Sequence, residues 1–453
     1  MSTTSSNPVP PAANTARDPG RAALRGGIFG YYADQFDIFV PIVTLAPAMI
    51  YFQAADISTT AAAWIAAGVF ASTLVARPLG AAVFGHFADK VGRRITTMVA
   101  VAGFGVSTLL IGLLPGHQQI GSWAIVALIG LRFVAGIFLG GEYSTAVPLA
   151  MEWSPRDKRG LASGLITATS PAATATIAGL TLLLLTVLPS AGLDSAYVQW
   201  GWRIPFFIGA LLAVGLFVYY RRNVEEAPSF DAAEATGSPL RELLGGRHRR
   251  ALLQVFVLMT GTWILTNMGV AVLPATLKND VGLDDRSVTV IMMIAPLACI
   301  VGFLVCAVLS QRIGRRRFYI GFGIVAAVLA SACYLGITTL GADDVVLAGV
   351  LAAAMQVLSL SHFGPIAAYL TERFPASIRA TGYGVGYSLA LIIPAFYAFY
   401  LSGLSAVIGA ALAPAALIVL GGALVAVGAA LGPETRDVDM APGAVHALSE
   451  GAT

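Results

Sequence analysis

Twelve stretches of about 20 mostly apolar residues follow one another along the chain, and this pattern constrains the fold more than any other feature. A helix rises about 1.5 Å per residue, so each stretch covers the hydrocarbon core of a bilayer. Only 11% of the residues are charged, whereas soluble domains carry about 25%. A membrane barrel would show short alternating segments instead. We therefore predict an all-α membrane protein with twelve transmembrane helices.

Lysine and arginine residues indicate the orientation of these helices, because they accumulate in cytoplasmic loops. With the amino terminus inside, all but five of the 27 lysines and arginines lie in the inner loops and tails. Of the five exceptions, Arg203, Lys278 and Arg286 lie in outer loops, and Arg77 and Arg132 lie within spans. We predict a multi-pass protein of the cell (inner) membrane with both termini in the cytoplasm.

The sequence repeats itself halfway along. Gly-Arg-Arg at 92–94, after the second span, recurs at 314–316, after the eighth. Glu152, Pro155 and Arg159, after the fourth span, recur at the same spacing after the tenth as Glu372, Pro375 and Arg379. Halves that repeat in the same orientation are one known transporter design, with the site between them. The predicted organisation is a disordered cytoplasmic tail at 1–25, a six-helix bundle at 26–220, a cytoplasmic linker at 221–250, a second six-helix bundle at 251–431 and a cytoplasmic tail at 432–453.

The loop after the second span reads Gly-His-Phe-Ala-Asp-Lys-Val-Gly-Arg-Arg at 85–94 and resembles a motif of the major facilitator superfamily. Physically, Gly85 permits close helix approach, and Asp89 can meet a helix amino terminus or a nearby arginine. In that family the loop latches the inner gate of one conformation. A second copy at 307–316 has Ala307 and Gln311 in place of the glycine and the aspartate. The resemblance implies a gating role for Gly85, Asp89, Gly92, Arg93 and Arg94.

A narrower resemblance covers most of the first half. Ala-Arg-Pro-Leu-Gly at 76–80, Trp-Gly-Trp-Arg-Ile-Pro-Phe at 200–206 and Glu-Glu-Ala-Pro-Ser-Phe at 225–230 are similar to the metabolite:proton symporter branch, a sugar-transporter-like family. That branch imports osmolytes such as proline and betaine, and carboxylates such as 2-oxoglutarate, citrate and shikimate, with protons. Where it has Glu-Trp-Tyr-Asp-Phe in the first span, this chain has Asp-Gln-Phe-Asp-Ile at 34–38. The resemblance implies two pseudo-symmetric bundles of the major facilitator fold, alternating access, and a proton gradient as the energy source without a cofactor.

Five charged residues lie within the predicted spans, all in the first half: Asp34, Asp37, Arg77, Arg132 and Glu142. A charge inside a membrane costs several kcal/mol and marks a candidate functional site. Three acids against two bases leave one carboxyl without a partner, and such a group takes up a proton readily. We therefore predict that these five residues couple transport to protons. The alternative is that Asp34 with Arg77, and Glu142 with a neighbour, form structural ion pairs.

Substrate contacts are predicted from polar and aromatic residues in both halves. Arg132 begins an Arg-Phe-Val-Ala-Gly segment that resembles a fourth-span motif of the superfamily, in which the arginine handles protons or grasps an anion. A guanidinium suits carboxylate recognition, although Arg132 can equally brace the carbonyls of span 1. His362 can bind an anion, relay protons or pack through a hydrogen bond. The predicted substrate-binding residues are Asp37, Arg132, Gln35, Trp263, Asn267, His362 and Tyr387.

The leading prediction is import of a small carboxylate or zwitterion, by a protein that functions as a monomer. Efflux of an amphipathic compound is an alternative, but Ser-Pro-Ala-Ala-Thr at 170–174 lacks the glycine-rich motif of drug/proton antiporters. A receptor or scaffold that transports nothing is another. No metal-ligand cluster, nucleophile elbow or phosphate loop indicates an enzyme or a metal site. The basic cluster at 247–250 favours contact with lipid over nucleic acid.

Overall fold

The computed structural model describes residues 18–54, 57–230, 238–246 and 248–440, and its regular elements are all helical. Nine of the helices in these ranges are long and apolar enough to cross a membrane, and a broken helix makes ten. Two further helices, of 26 and 33 residues, complete the predicted twelve, six in each half. The spanning helices are α1 (Pro19–Thr44), α2 (Thr59–Val91), α3 (Arg93–Gly112), α4 (Trp123–Glu152), α5 (Arg156–Val187), α6 (Tyr197–Asn223), α7 (Arg249–Asn279), α8 (Asp285–Ile313), α9 (Arg315–Ile337), α10 (Val345–Arg373), α11 (Ala376–Ala395 and Tyr397–Ile408) and α12 (Leu412–Ala430).

Helix α1 begins earlier than the sequence predicted, so the tail predicted at 1–25 extends too far. The Asp18 side chain accepts the backbone N–H groups of Gly20 and Arg21 at 3.0 and 3.3 Å. Pro19 occupies the first helical position, where its missing N–H costs nothing. This cap starts the helix seven residues before the predicted span. Residues 1–17 lie outside the described ranges.

Several spans are interrupted rather than straight. Helix α10 contains a 3-10 turn at Ser361–Phe363, just before Pro365, and α11 bends by 42° after Ala395, next to Pro394. Proline lacks the N–H that would continue the hydrogen-bond ladder, so breaks at these positions have a local cause. After each interruption the helix continues with its residues rotated about the axis, so that different residues face the other half.

The segments that join and follow the bundles are partly ordered against the end of the molecule that carries the basic loops, called here the basic end. In the linker predicted at 221–250, helix α6 continues to Asn223 and a short helix, Pro239–Gly245, contacts α2 and α11 through the buried Leu243. The linker residues 231–237 and Arg247 lie outside the described ranges. Of the tail predicted at 432–453, residues 432–440 are described and Met440 is buried, and residues 441–453 lie outside the described ranges.

Helices α2 and α4 approach closely because glycines remove side chains from their contact. A Cβ atom on Gly136 would lie 2.5 Å from the Thr73 carbonyl oxygen and 2.9 Å from the Ala76 Cβ. The Thr73 hydroxyl also donates to the Arg132 carbonyl at 3.1 Å, which fixes the two helices in register. Small residues at such crossings let membrane helices pack backbone to backbone.

We expect Gly136→Ala to lower the free energy of unfolding by about 1–3 kcal/mol, because the clash is with backbone that cannot rotate away. Gly130→Ala, on the same helix, is the matched control, since a Cβ there would have no atom of the described residues within 4 Å. Thermal unfolding of both purified variants in detergent measures the effect. Equal melting temperatures would show that α2 and α4 do not depend on this contact.

Candidate transport site

Two buried ion pairs link α1 to its neighbours in the first half. Arg77 of α2 donates to Asp34 at 3.3 Å, and Gln35 donates to the same carboxylate at 2.9 Å. Arg132 of α4 meets Asp37 at 3.4 Å and donates to the Asp37 carbonyl at 3.3 Å. The Thr108 hydroxyl of α3 completes the second group by donating to the Asp37 carboxylate. Both pairs are almost completely buried.

The two pairs face different surroundings. Asp37 is held by α3 and α4, inside the first bundle. The Arg77 guanidinium lies 5.8 Å from the centre of the Tyr143 ring, which in turn contacts rings of the second half. Of the two buried pairs, therefore, Asp34–Arg77 is the one that reaches the boundary between the halves, and it is the one that the sequence analysis offered as an ion pair.

Glu142 differs from the other buried acids because it is not paired. It is completely buried, and within the described residues neither of its carboxyl oxygens has a hydrogen-bond partner. Gly30 of α1 lies directly against it, so a side chain at position 30 would collide with the carboxyl group. The sequence analysis offered a structural ion pair between Glu142 and a neighbour, but no described residue forms one with it. An ionised carboxylate in such a place would be very costly.

An aromatic layer fills the boundary between the two halves. The Tyr143 ring lies 4.1 Å from Tyr387 and 5.0 Å from Tyr383, centroid to centroid. Trp263 lies 5.1 Å from Tyr387 and donates its indole N–H to the Tyr387 carbonyl at 3.1 Å. The structure thus brings the predicted residues Trp263 and Tyr387 together beside Arg77. The layer consists of Tyr31, Tyr143, Trp263, Phe363, Tyr383 and Tyr387.

Sequence reasoning missed four members of this layer, although their spacing carried a signal. Tyr31 precedes Asp34 by three positions and Tyr383 precedes Tyr387 by four, so each lies one helical turn from a predicted residue. Tyr143 directly follows Glu142, and Phe363 follows His362. The Tyr383 hydroxyl donates to that of Tyr143 at 2.6 Å, a bond that crosses between the halves.

The other predicted substrate residues lie away from this layer's centre. Gln35 accepts a hydrogen bond from Ser170 of α5 at 2.7 Å, and Asn267 donates to the Pro394 carbonyl of α11 at 2.7 Å. The His362 ring is buried and lies 5.2 Å from both Phe322 of α9 and Phe363. His362 is therefore one ring removed from Trp263 rather than in the layer.

At the basic end, the predicted gating residues join the halves. Asp89 accepts the backbone N–H groups of Ala380 and Thr381 at 3.0 and 2.9 Å, at the start of the main helical part of α11. The Thr381 hydroxyl donates to the same carboxylate at 2.7 Å. Gly85 lies so close to α11 that a Cβ on it would be 2.8 Å from the Thr381 Cα. In this structure the basic end is closed.

A buried charge cluster next to Asp89 strengthens this contact. Glu152 of α4 accepts from Arg93 of its own half at 3.0 Å and also from Arg379 of the other half. Arg93 in addition donates to the Ala376 carbonyl across the boundary at 2.9 Å. The sequence marked Glu152 and Arg379 only as members of the repeat. Their positions show that one carboxylate serves two arginines from opposite halves.

The second copy of the motif makes a neutral version of the same contact. Gln311 accepts the Gly160 backbone N–H of α5 at 2.9 Å, where Asp89 in the first copy accepts two from α11. Arg315 and Glu372 form the pair that corresponds to Arg93 and Glu152, at 3.1 Å. The replacement of aspartate by Gln311 therefore removes the charge from this contact but keeps a hydrogen bond.

Each copy also has a glutamate that caps the following helix. Glu226 accepts the backbone N–H groups of Arg93 and Arg94 at 2.8 and 3.0 Å, and Glu434 accepts those of Arg315 and Arg316 at 2.7 and 3.2 Å. The preceding glycines have φ of +103° and +98°, a region that other residues rarely adopt. A Cβ at Gly92 would lie 2.5 Å from the Glu226 carboxylate. This position therefore requires glycine for two reasons, the positive φ and the lack of space for a side chain.

The segment after α12 binds the first half as well. The Arg159 guanidinium donates to the Val438 carbonyl at 2.7 Å, and Arg156 pairs with Asp437 at 2.9 Å. Hydrogen bonds from Arg436 and then Arg156 hold the pKa of Asp437 below its usual range. The residues after α12 thus form a further contact between the halves at the basic end.

Residues 28–398 match the model of a family described as Major Facilitator Superfamily. The chain belongs to this superfamily. It is 33% identical over 389 residues to the inner membrane metabolite transport protein YhjE of Escherichia coli K12, covering 84% of this chain and 86% of that one. It is 30% identical over 374 residues to the alpha-ketoglutarate permease of the same organism, covering 81% and 83%.

Solved structures show the same fold. The proton:xylose symporter XylE, bound to 6-bromo-6-deoxy-D-glucose, superposes with a TM-score of 0.68 at 17% identity, covering 91% of this chain and 94% of XylE. The predicted superfamily and its two-bundle architecture are therefore confirmed. Together with the relatives, this identifies the chain as a multi-pass membrane transporter of small molecules rather than an enzyme.

Proposed function

We propose that this transporter imports a small metabolite bearing a carboxylate, an organic anion or a zwitterion, together with protons. In this proposal the basic end and both termini face the cytoplasm. The observation that carries the proposal is the buried charge layer of the first half, where three carboxyls accompany two guanidinium groups and one pair reaches the aromatic boundary. Relatives named for alpha-ketoglutarate, shikimate and proline/betaine support the substrate class.

The Asp34–Arg77 pair provides a physical route to coupling. While Asp34 is ionised, its carboxylate forms an ion pair with the Arg77 guanidinium at 3.3 Å. Protonation of Asp34 removes that charge and frees the guanidinium for a substrate carboxylate, which it can bind through two parallel hydrogen bonds. Proton and anion then favour each other's binding, and the effect is reciprocal by linkage. Trp263 and Tyr387 would line the adjoining side of the substrate.

The remaining charges of the layer hold further protons in this scheme. Within the first bundle, Asp37 alternates between a protonated form and an ionised form that pairs with Arg132. Glu142 carries a proton while the basic end is closed, because a buried carboxyl group without a partner is far less costly when it is neutral. As the halves rock about the boundary during transport, these groups become accessible first from one side of the membrane and then from the other.

The proposal is tested by uptake of radiolabelled 2-oxoglutarate, shikimate, proline and glycine betaine into proteoliposomes, with the membrane potential clamped at zero. An inward gradient of one pH unit should drive about tenfold accumulation of at least one of them if one proton accompanies each molecule. Accumulation only under an outward proton gradient would support efflux in place of import. Absence of counterflow for every compound would support a receptor or scaffold.

We expect Asp37→Asn to retain counterflow of the transported compound and to accumulate less of it than wild type does, since asparagine can replace the contact with Thr108 but cannot exchange a proton, while Asp34 still can. Asp157→Asn, at an exposed acid in the first turn of α5, is the matched control and should accumulate as wild type does. If Asp37→Asn accumulates to the wild-type level, Asp37 is not a proton carrier.

A further inference from the structure

A cavity of about 680 Å³ lies at the basic end of the first half, outside the boundary at which we place transport. Its walls come from the start of α1, the end of α2, the start of α3, the end of α6 and the linker residues 224–230, so it is separate from the aromatic layer. Volumes of about 300–1,000 Å³ are typical of sites for small ligands. It is lined by Pro19, Val91, Arg94, Ile95, Arg221, Arg222, Asn223, Val224, Glu225, Glu226 and Phe230.

The charge in this cavity favours an anion. Three of the lining residues are arginines against two glutamates, Glu225 and Glu226, and the carboxylate of Glu226 is already engaged by the backbone N–H groups of Arg93, Arg94 and Ala227 at 2.8–3.0 Å. Arg94 donates to the Arg221 carbonyl at 2.9 Å, which holds its guanidinium at the wall. Guanidinium groups bind phosphate oxygens with paired hydrogen bonds.

An apolar surface continues from the cavity along the outside of α3. Val91 and Ile95 line the cavity and are 54% and 56% exposed, and Val99 and Val106 extend the same surface with 54% and 56% exposure. In a membrane-spanning bundle such a surface contacts acyl chains. A ligand with an anionic head and apolar chains therefore fits both parts, whereas a free anion fits only the cavity.

We propose that this cavity binds the phosphate headgroup of an anionic lipid from the surrounding leaflet, with its acyl chains against α3. Arg94, Arg221 and Arg222 contact the phosphate, and phosphatidylglycerol is the probe of choice. The site stands independently of the proposed transport activity, because no residue of the charge layer lines it.

The test compares lipid binding by wild type and by Arg221→Gln/Arg222→Gln, which leaves the Arg221 carbonyl in place for Arg94. Native mass spectrometry and thermal unfolding in a neutral detergent are recorded with phosphatidylglycerol, phosphatidylcholine or glycerophosphate. Wild type should retain at least about tenfold more phosphatidylglycerol than the double variant, and phosphatidylglycerol alone should raise its melting temperature. The matched control is Arg312→Gln/Arg317→Gln, which removes two exposed arginines at the basic end of the second half and should behave as wild type.

Three results would overturn the proposal. Equal phosphatidylglycerol retention by the two double variants would show that the binding follows net charge rather than the cavity. If phosphatidylcholine stabilised the protein as much as phosphatidylglycerol does, the site would not distinguish an anionic headgroup from a zwitterionic one. Stabilisation by glycerophosphate equal to that by phosphatidylglycerol would indicate a site for a free anion.

Discussion

Arg77→Gln is expected to weaken binding of a carboxylate substrate by about 100-fold or more, because it removes the charge-assisted hydrogen bonds on which the proposed site depends. The same change leaves Asp34 buried, with Gln35 as its one remaining hydrogen-bond donor among the described residues. Binding is measured by scintillation proximity or calorimetry with the compound identified in the uptake screen. Arg203→Gln is the control for loss of a buried guanidinium, since Arg203 bonds to carbonyls of 112 and 114 far from the boundary.

Asp34→Asn is the informative partner of this variant, because an asparagine imitates the protonated acid. Its affinity for the substrate should be independent of pH and close to the wild-type affinity at low pH, while proton-driven accumulation falls from about tenfold to equilibration. If Arg77→Gln binds with wild-type affinity, or Asp34→Asn keeps the wild-type pH dependence, the Asp34–Arg77 pair does not couple the proton to the substrate.

Glu152→Gln is expected to open the basic end. The substitution leaves Arg93 and Arg379 buried without the carboxylate they share, and removal of one partner from a buried ion pair costs about 3–5 kcal/mol. Because the two arginines belong to different halves, separation of the halves relieves the repulsion. A penalty of this size shifts the equilibrium between closed and open conformations by a factor of about 100 or more.

The shift is measured as a distance distribution between spin labels at Asp157 and Arg317, two exposed positions on opposite halves, with the native cysteines replaced. Glu226→Gln is the matched control, because its carboxylate bonds the backbone N–H groups of Arg93 and Arg94, within the first half and the linker that follows it. It should destabilise the protein without lengthening the distance. A distance in Glu152→Gln equal to that in wild type would show that the cluster does not hold the gate.

Features that depend on local sequence were predictable here. Hydropathy and basic loops identified the spans, and the repeat located the two halves, because each follows from residues close together in the chain. The start of α1 carried its own signal in Asp18 and Pro19, but the Ser- and Pro-rich composition before it led us to extend the tail to residue 25.

Features that depend on how the halves meet were not predictable. The shared role of Glu152 requires knowing that Arg379 crosses the boundary, and no periodicity within one half encodes this. His362 illustrates a second limit, because the 3-10 turn at Ser361–Phe363 shifts the helical phase and directs its ring toward Phe322. The pairing of Asp37 with Arg132 likewise depends on the rotation of α1 about its axis, whereas the Asp34–Arg77 pair was one of the alternatives offered by the sequence.

The unequal chemistry of the two motif copies has a consequence for the order of events during opening. On one side Asp89 holds α11 by three charge-assisted bonds, and on the other Gln311 holds α5 by two neutral bonds. Hydrogen bonds to a charged group are roughly twice as strong. We therefore expect water to enter first along the seam between α5 and α8, while the seam between α2 and α11 parts last and serves as the pivot of the movement.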